Sequence, residues 1–381
     1  MVDAYMLGAT RTPIGKRKGG MAHIRPDDLA AQCLNGLVDQ TKTDPSEIED
    51  VVMGCVTQIG EQGLNIGRMA VLAAGWPVSV PGTSVNRMCA SSLQAANFAA
   101  QAVMAGAMDL TVGAGVESMT RVNMGGDAGP ISDQIQDRFD VIGQGLSAEL
   151  IAEKYGLTRQ TLDSLAVESH RRALHAIDNG YFEKEITPVT VPDPEGASVV
   201  LSVDEGPRRN STIESVSGLK TPFREGGVIT AASSSQISDG AAALLIGSKE
   251  KADELGLRAR ARVRSMAVSG SDPTMMLLAP APATERALKK AGLTLGDIDL
   301  FEVNEAFGSV VLAWEKMLGA DLMERTNVNG GAMALGHPLG CSGARLMVTL
   351  LHEMERRDVQ FGLATLCIGF GQAVATIIER V

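Results

Sequence analysis

The sequence is poor in aromatic residues, 3% of its 381 positions, and in histidine, of which it has five. Its five cysteines are scattered, with no Cys-x-x-Cys pair and no histidine cluster beside them. Neither a disulfide framework nor a zinc site is therefore indicated. Positive charge is in deficit: 34 Lys and Arg against 45 Asp and Glu give a net charge of −11. That balance argues against a nucleic-acid groove or an anionic membrane surface as the main partner, while a small anionic ligand needs only a local basic pocket. No stretch approaches the roughly 18 uninterrupted apolar residues of a membrane span. The start, MVDAYMLGATRTPIG, lacks a basic segment followed by an apolar one, and the ending IERV is not a peroxisomal address. These absences, with an odd number of unpaired thiols, give the expectation of a soluble cytoplasmic protein.

What is present is an ordinary folded composition, 45% apolar and 21% charged, rich in glycine at 42 residues. At roughly 100–200 residues per domain the length suggests two or three domains. Leu29, Cys33 and Leu37, joined by Ala30, Leu34 and Val38, mark an amphipathic helix. IEDVVMGCV reads as a strand, CASSLQAANFAAQAVMAGA as a buried helix and DLTVGAG as a buried strand, an α/β alternation that predicts a mostly parallel sheet covered by helices. The later part repeats the plan. DIDLFEVNEAF from Asp297 parallels EIEDVVMGCV, and NVNGGAMALGHPLGCSGAR from Asn327 parallels SVNRMCASSLQA from Ser84. Two similar α/β halves are expected, 1–117 and 249–381. Between them, 118–248 carries Gly- and Pro-rich loops, one clear helix near Thr158–Gly180 and the run AASSSQISDG, and reads as a loop or lid domain returning to the first half.

Three positions stand out chemically. Cys89 follows the extended-looking TSVN and opens a helix of small residues, where free N–H groups and the helix dipole favour thiolate; a buried packing cysteine is the competing reading. His337 sits in a Gly-rich turn before another helix, a placement suited to proton transfer near neutrality. Cys367 ends the strand LATLCIGFG, where Gly369 allows close backbone approach and a free N–H, as an oxyanion site requires; a core cysteine is the alternative. Asn304 and Glu305 follow the strand DLFEV, where an Asn amide can hold a water or a carbonyl oxygen or simply cap the next helix. His23, His170, His175 and His352 lack such surroundings and read as solvated or packing residues, and Cys33, Cys55 and Cys341 as packing.

Taken together, TRTPIGK, NRMCASSLQA, SSSQISDGAAA, NEAF, NGGAMALGHPLGCSGAR and CIGFG resemble the signatures of the thiolases, in that family's order from about residue 3 to residue 380. The resemblance implies a five-layered αβαβα fold with a loop domain inserted after the first half. It implies an acyl-CoA C-acyltransferase that cleaves 3-oxoacyl-CoA with CoA, or runs the reverse condensation, through an acyl-cysteine. By motif, Cys89 corresponds to the nucleophile and His337 to its base. With a water on Asn304, His337 would also form one oxyanion hole. Cys367 corresponds to the acid/base at the acetyl carbon, and the N–H groups of Cys89 and Gly369 to the second hole. Arg208, Phe223, Ala231 and Ser235 would contact coenzyme A, a substrate here; no bound cofactor or metal is implied. A homodimer or homotetramer is expected, with the contact near DLTVGAG.

Three departures from the common pattern bear on the acyl pocket. Ser92 stands for a glycine in SSLQA, Phe370 for a glycine in the end motif, and MMLLAP at Met275–Pro280 for MGxGP. Two rivals remain: a ketosynthase-like condensing enzyme, which would need a second histidine or a His–Asn pair where this chain has NEAF and would not need Cys367, and a catalytically silent thiolase-like CoA- or lipid-binding protein or partner subunit. SSQ in the Ser235 loop leans toward the degradative kind.

Overall fold

The computed structural model describes residues 2–193 and 195–381. The first part of the chain forms strand β1 (Tyr5–Arg11), a two-residue β2 (Gly15–Lys16), helix α1 (Pro26–Thr41), β3 (Asp50–Gly54), α2 (Ile66–Ala73), β4 (Gly82–Val85), α3 (Ser91–Met104) and β5 (Leu110–Ser118). The chain then leaves the main sheet for α4 (Asp133–Gln136), α5 (Gln144–Lys154), α6 (Arg159–Asp178), the small ladder β6 (Val189–Val191) and β7 (Val199–Leu201), and α7 (Ile213–Ser217). It re-enters the sheet as β8 (Ser238–Gly247). The last part holds α8 (Lys249–Glu254), β9 (Ala261–Gly270), α9 (Pro280–Ala291), β10 (Leu300–Val303), α10 (Gly308–Leu318), α11 (Ala332–Leu335), α12 (Ser342–Arg357), β11 (Phe361–Ile368) and β12 (Gln372–Arg380).

The internal repeat is visible in the strand pairing. β3 runs parallel to β4 and β5, and β5, β8 and β1 are successively antiparallel. In the second part a parallel bridge between Phe301 and Thr326 stands where β4 stood. β10 then runs parallel to β11, and β11, β12 and β9 are successively antiparallel. The two half-sheets meet where Tyr5 pairs with Arg262 and Met6 with Ala261. The matching cysteine- and histidine-bearing motifs thus end in matching helices, α3 and α12.

Five layers result. α1 covers the outer face of the first half-sheet, with Leu29, Leu34 and Leu37 against Val51, Val112 and Leu245. α9 covers the second, with Ala283, Ala287 and Leu288 among Val303, Ala375 and Ile377. α3 and α12 lie between the half-sheets, where Leu93, Ala96, Leu346 and Leu350 pack with Met6, Leu244, Val263 and Val374. The middle layer is tight because its residues are small. A Cβ on Gly113 would lie 2.4 Å from the Ala96 Cα, and one on Gly343 2.3 Å from the Leu93 backbone nitrogen, so only glycine lets α3 sit against both β5 and α12.

Two expectations change. DLTVGAG lies inside: β5 is hydrogen-bonded on both edges and buried along its whole length, so it cannot be a dimer contact. Ser92, in place of the usual glycine, does not face a substrate space. It is fully buried and its Oγ accepts the Ala344 N–H of α12 at 2.9 Å, tying together the first turns of the two central helices. α6 begins with Thr158 capping the Thr161 N–H. The inserted segment is fastened to the first half by Arg11, whose buried guanidinium bonds Glu185 at 2.6 Å and Asp204 at 2.7 and 2.9 Å. Because both carboxylates and the cation are desolvated together, removing any one would leave an uncompensated buried charge. Among the described residues no helix is long and apolar enough to cross a membrane.

Candidate active site

The loops before α3 and α12 and the ends of β10 and β11 converge on one buried centre. Cys89 is 4% exposed and packs with Val56, Met119 and Leu339, the last two residues beyond His337. The Gly369 and Cys89 N–H groups lie near enough to the Cys89 sulfur to favour its thiolate, and Cys367 lies near enough for the two thiols to feel each other's charge. Met88, just before the nucleophile candidate, has φ +45°, and Phe370, just after Gly369, has φ +61°. These left-handed residues turn the chain at the two positions whose N–H groups lie near the sulfur.

Cys89 lies just outside the helix expected to make it acidic. α3 starts only at Ser91, and Cys89 is buried, so desolvation pushes its thiol up to about 11 against the pull of the two N–H groups. Cys367 is pushed up further still by burial and by Cys89. Cys89 is therefore the easier of the two to ionise, yet it rests as a thiol. The other three cysteines are buried and free.

His337 is likewise not poised near neutrality. Burial, helped by the charge of Arg345, pushes it down to about 3, so the resting imidazole is neutral. Its tautomer follows from its neighbours. The Ser342 hydroxyl donates to the Pro338 carbonyl at 2.9 Å, which leaves its oxygen to accept the Nδ1–H of His337 at 2.5 Å. Nε2 then carries the lone pair and accepts from the Asn304 amide nitrogen at 3.2 Å. The Asn304 Oδ1 is buried and has no partner among the described residues, so it can accept a hydrogen bond from a water or a substrate group. The Asn304 backbone N–H bonds the Thr365 carbonyl at 3.0 Å, two residues before Cys367, which locks the two loops in register.

A second set of buried groups holds these loops. The Gln236 carbonyl and the Ser238 hydroxyl both accept the His337 N–H, at 3.1 Å each. Glu305 accepts from Ser169 at 2.7 Å, Asn327 at 3.0 Å and the Met333 N–H at 3.1 Å, joining the NEAF loop to the histidine loop. Glu117 accepts from the N–H groups of Val56 and Gly340 at 2.9 and 2.8 Å, joining the strand before the nucleophile loop to the turn after His337. These roles were invisible in the sequence, where each residue is a lone acid or amide.

The four residues expected at coenzyme A separate. Arg208 and Ala231 line one cavity of about 230 Å³ with His170, Asn210, Gln236 and Met333. It adjoins a groove where Arg171 and Arg209 face the same side as Arg208. Ser235 and Phe223 do not line the cavity: the Ser235 N–H bonds the Ala306 carbonyl at 3.0 Å, and Phe223 packs edge-on against Phe307 at 5.8 Å. His170, read from the sequence as a solvated or packing residue, is buried and accepts the Arg208 N–H on Nδ1 at 3.0 Å. Its environment pushes it down to about 4, so it holds the Arg208 backbone as a neutral ring.

A resting thiol that ionises only near pH 11 has a measurable consequence. Alkylation of Cys89 by iodoacetamide, followed by peptide mass, should rise roughly tenfold per pH unit from pH 7 to 9. A plateau with a midpoint at or below pH 7 would mean a resident thiolate–imidazolium pair and contradict this arrangement.

Two family descriptions cover nearly all of the chain: the N-terminal domain of thiolase matches residues 4–250 and the C-terminal domain residues 257–380. The 3-ketoacyl-CoA thiolase of Aliivibrio fischeri is 46% identical over 386 residues, covering all of both chains. The steroid 3-ketoacyl-CoA thiolase FadA6 of Mycobacterium tuberculosis is also 46% identical, over all of this chain and 95% of its own. Among solved structures, the Bacillus anthracis acetyl-CoA acetyltransferase superposes with a TM-score of 0.93 at 39% identity, covering 100% of this chain and 99% of that one. Fold, motif order and likeness over the whole length agree: the chain belongs to the thiolase family of acyltransferases.

Proposed function

We propose that this protein is a degradative 3-oxoacyl-CoA thiolase, cleaving its substrate with CoA to acetyl-CoA and an acyl-CoA two carbons shorter. The observation that carries this reading is the pair of buried thiols. One has two backbone N–H groups near its sulfur and the other lies near it. Carbon–carbon cleavage needs both a nucleophile and a proton donor for the departing carbon.

The steps follow from the resting protonation states. Cys89 Sγ attacks the 3-oxo carbon while its proton passes to Nε2 of His337, the unprotonated ring nitrogen, which gives up the bond it accepts from the Asn304 amide at rest. The N–H groups of Cys89 and Gly369 take the developing alkoxide. As the bond between C2 and C3 breaks, the enolate oxygen of the leaving acetyl thioester is held by the new Nε2–H and by a water on Asn304 Oδ1, the atom without a partner. Cys367 donates its proton to C2, releasing acetyl-CoA. The Cys367 thiolate then takes the proton from incoming CoA, whose sulfur displaces the acyl group from Cys89, and His337 returns the first proton. CoA is a substrate in this scheme, with no bound cofactor and no metal. Its nucleotide phosphates suit the Arg208 cavity.

NEAF, at Asn304, stands where a ketosynthase-like enzyme would need a second histidine or a His–Asn pair, which favours the thiolase reading over that rival. Retention of both thiols, His337, Asn304 and Gly369 favours it over a silent binding protein. The decisive assay is CoA-dependent loss of the enolate absorbance of acetoacetyl-CoA, extended to 3-oxoacyl-CoA chains of increasing length. Turnover that includes chains beyond four carbons is expected, and no thiolysis at any length would sink the proposal.

We also infer a homodimer, built on β4 rather than β5. β4 is the edge of the first half-sheet, its outer side lacks a strand, and Leu64 and Val78 nearby are 86% and 80% exposed. Light scattering should give at least twice the chain mass at micromolar concentration, and a stable monomer would contradict the inference.

A further inference from the structure

Among the described residues, eight other than glycine have positive φ, and three of these are apolar: Leu64, Met88 and Phe370. Two of the three flank the backbone groups that lie near the Cys89 sulfur. Phe370 is the more costly. It occupies the middle of the three-residue turn Gly369–Phe370–Gly371 between β11 and β12, which close on the pair Ile368–Gln372. Phe370 at φ +61° is followed by Gly371 at +80°, so two successive left-handed residues are required where glycine fits both without steric cost. An aromatic residue held in that conformation is strained, and strain that one glycine would relieve points to a use for the side chain.

The surroundings indicate the use. Beneath Cys367 the apolar residues Met276, Leu277, Ala306 and Phe307 are between 1% and 7% exposed and pack as one cluster. An acyl chain on Cys89 finds this interior already filled, partly by the leucine that stands where the family's pattern has glycine, and has to run outward along the rim. That rim passes over Gly369, where an added Cβ would meet Met88 Sδ at 3.1 Å and Gln144 Nε2 at 3.2 Å, and then reaches Phe370. The Phe370 N–H is held by Met276 Sδ at 3.4 Å, and 45% of the residue's surface is open to solvent. Exposed aromatic surface one residue from the oxyanion N–H costs solvation when nothing covers it and gains when an apolar chain does.

We propose that Phe370 is the specificity-determining residue for the acyl chain, supplying the apolar surface against which the carbons beyond the fourth lie. This deepens the thiolase reading and rests on it. Covering roughly 55 Å² of apolar surface at about 25 cal/mol/Å² corresponds to about a tenfold change in binding. Phe370→Gly and Phe370→Leu would be compared with the unaltered enzyme in thiolysis of 3-oxoacyl-CoA with four, eight, twelve and sixteen carbons. The readout is the ratio of twelve-carbon to four-carbon kcat/KM within each variant, so any general effect of altering the Gly369–Phe370 turn cancels, and this ratio should fall about tenfold in Phe370→Gly. The fall should lie in KM for the twelve-carbon substrate, and Phe370→Leu should recover most of the loss. The thermal midpoint of Phe370→Gly should be equal or higher, since the strain is gone. An equal loss at every chain length, no loss at any, or a change of oligomeric state in place of a chain-length effect would overturn the assignment. Absence of thiolysis in the unaltered enzyme would instead overturn the functional reading itself.

Discussion

The close contact between the first turns of α3 and α12 governs the rest of the structure. Two half-sheets must cover a shared middle layer, and the helices in it can approach only because glycine and small residues face each other there. Gly343 sits against the backbone of Leu93, and the Ser92 hydroxyl caps the Ala344 N–H across the gap. The loops that enter these two helices are thereby brought together, and one carries Cys89 while the other carries His337. Internal duplication thus yields an asymmetric chemical pair from two equivalent positions.

Burial then sets the protonation states. A thiol near 11 and an imidazole near 3 are both neutral at physiological pH. In the proposed mechanism, the transfer of one proton between them would create charge only when a substrate is present to use it. The hydrogen-bond path from His337 Nδ1 through Ser342 to the Pro338 carbonyl fixes which ring nitrogen receives that proton, so the arrangement stores direction as well as position. Glu117 and Glu305 contribute by holding backbone N–H groups of separate loops, an effect of geometry rather than of acid–base chemistry.

Much of this was legible in the sequence because it is local. The repeat of an acidic opening, an apolar strand and a Val-Asn before a small-residue helix gave the two halves, and the motifs located Cys89, Asn304, His337, Cys367 and Gly369. What depends on three-dimensional surroundings was not. Burial pushes the Cys89 thiol up, and its sequence position before a small-residue helix does not reveal that burial. His170, read as a solvated or packing residue, packs, and its bond to the Arg208 N–H depends on a loop 38 residues away. DLTVGAG read as a surface to be covered by a partner, whereas β3, β8 and α3 cover it from within the same chain.

Two buried cysteines, Cys89 the easier to ionise, divide the labour in the proposed mechanism. Intact-protein mass spectrometry after brief exposure to acetyl-CoA tests it most directly. Cys89→Ala should show no acetyl adduct. Cys367→Ala should load the acetyl group on Cys89 yet lose roughly 10²–10⁴-fold in carbon–carbon cleavage, the usual worth of a positioned acid or base. An adduct on Cys367 in the Cys89→Ala protein, or full cleavage by Cys367→Ala, would contradict the account.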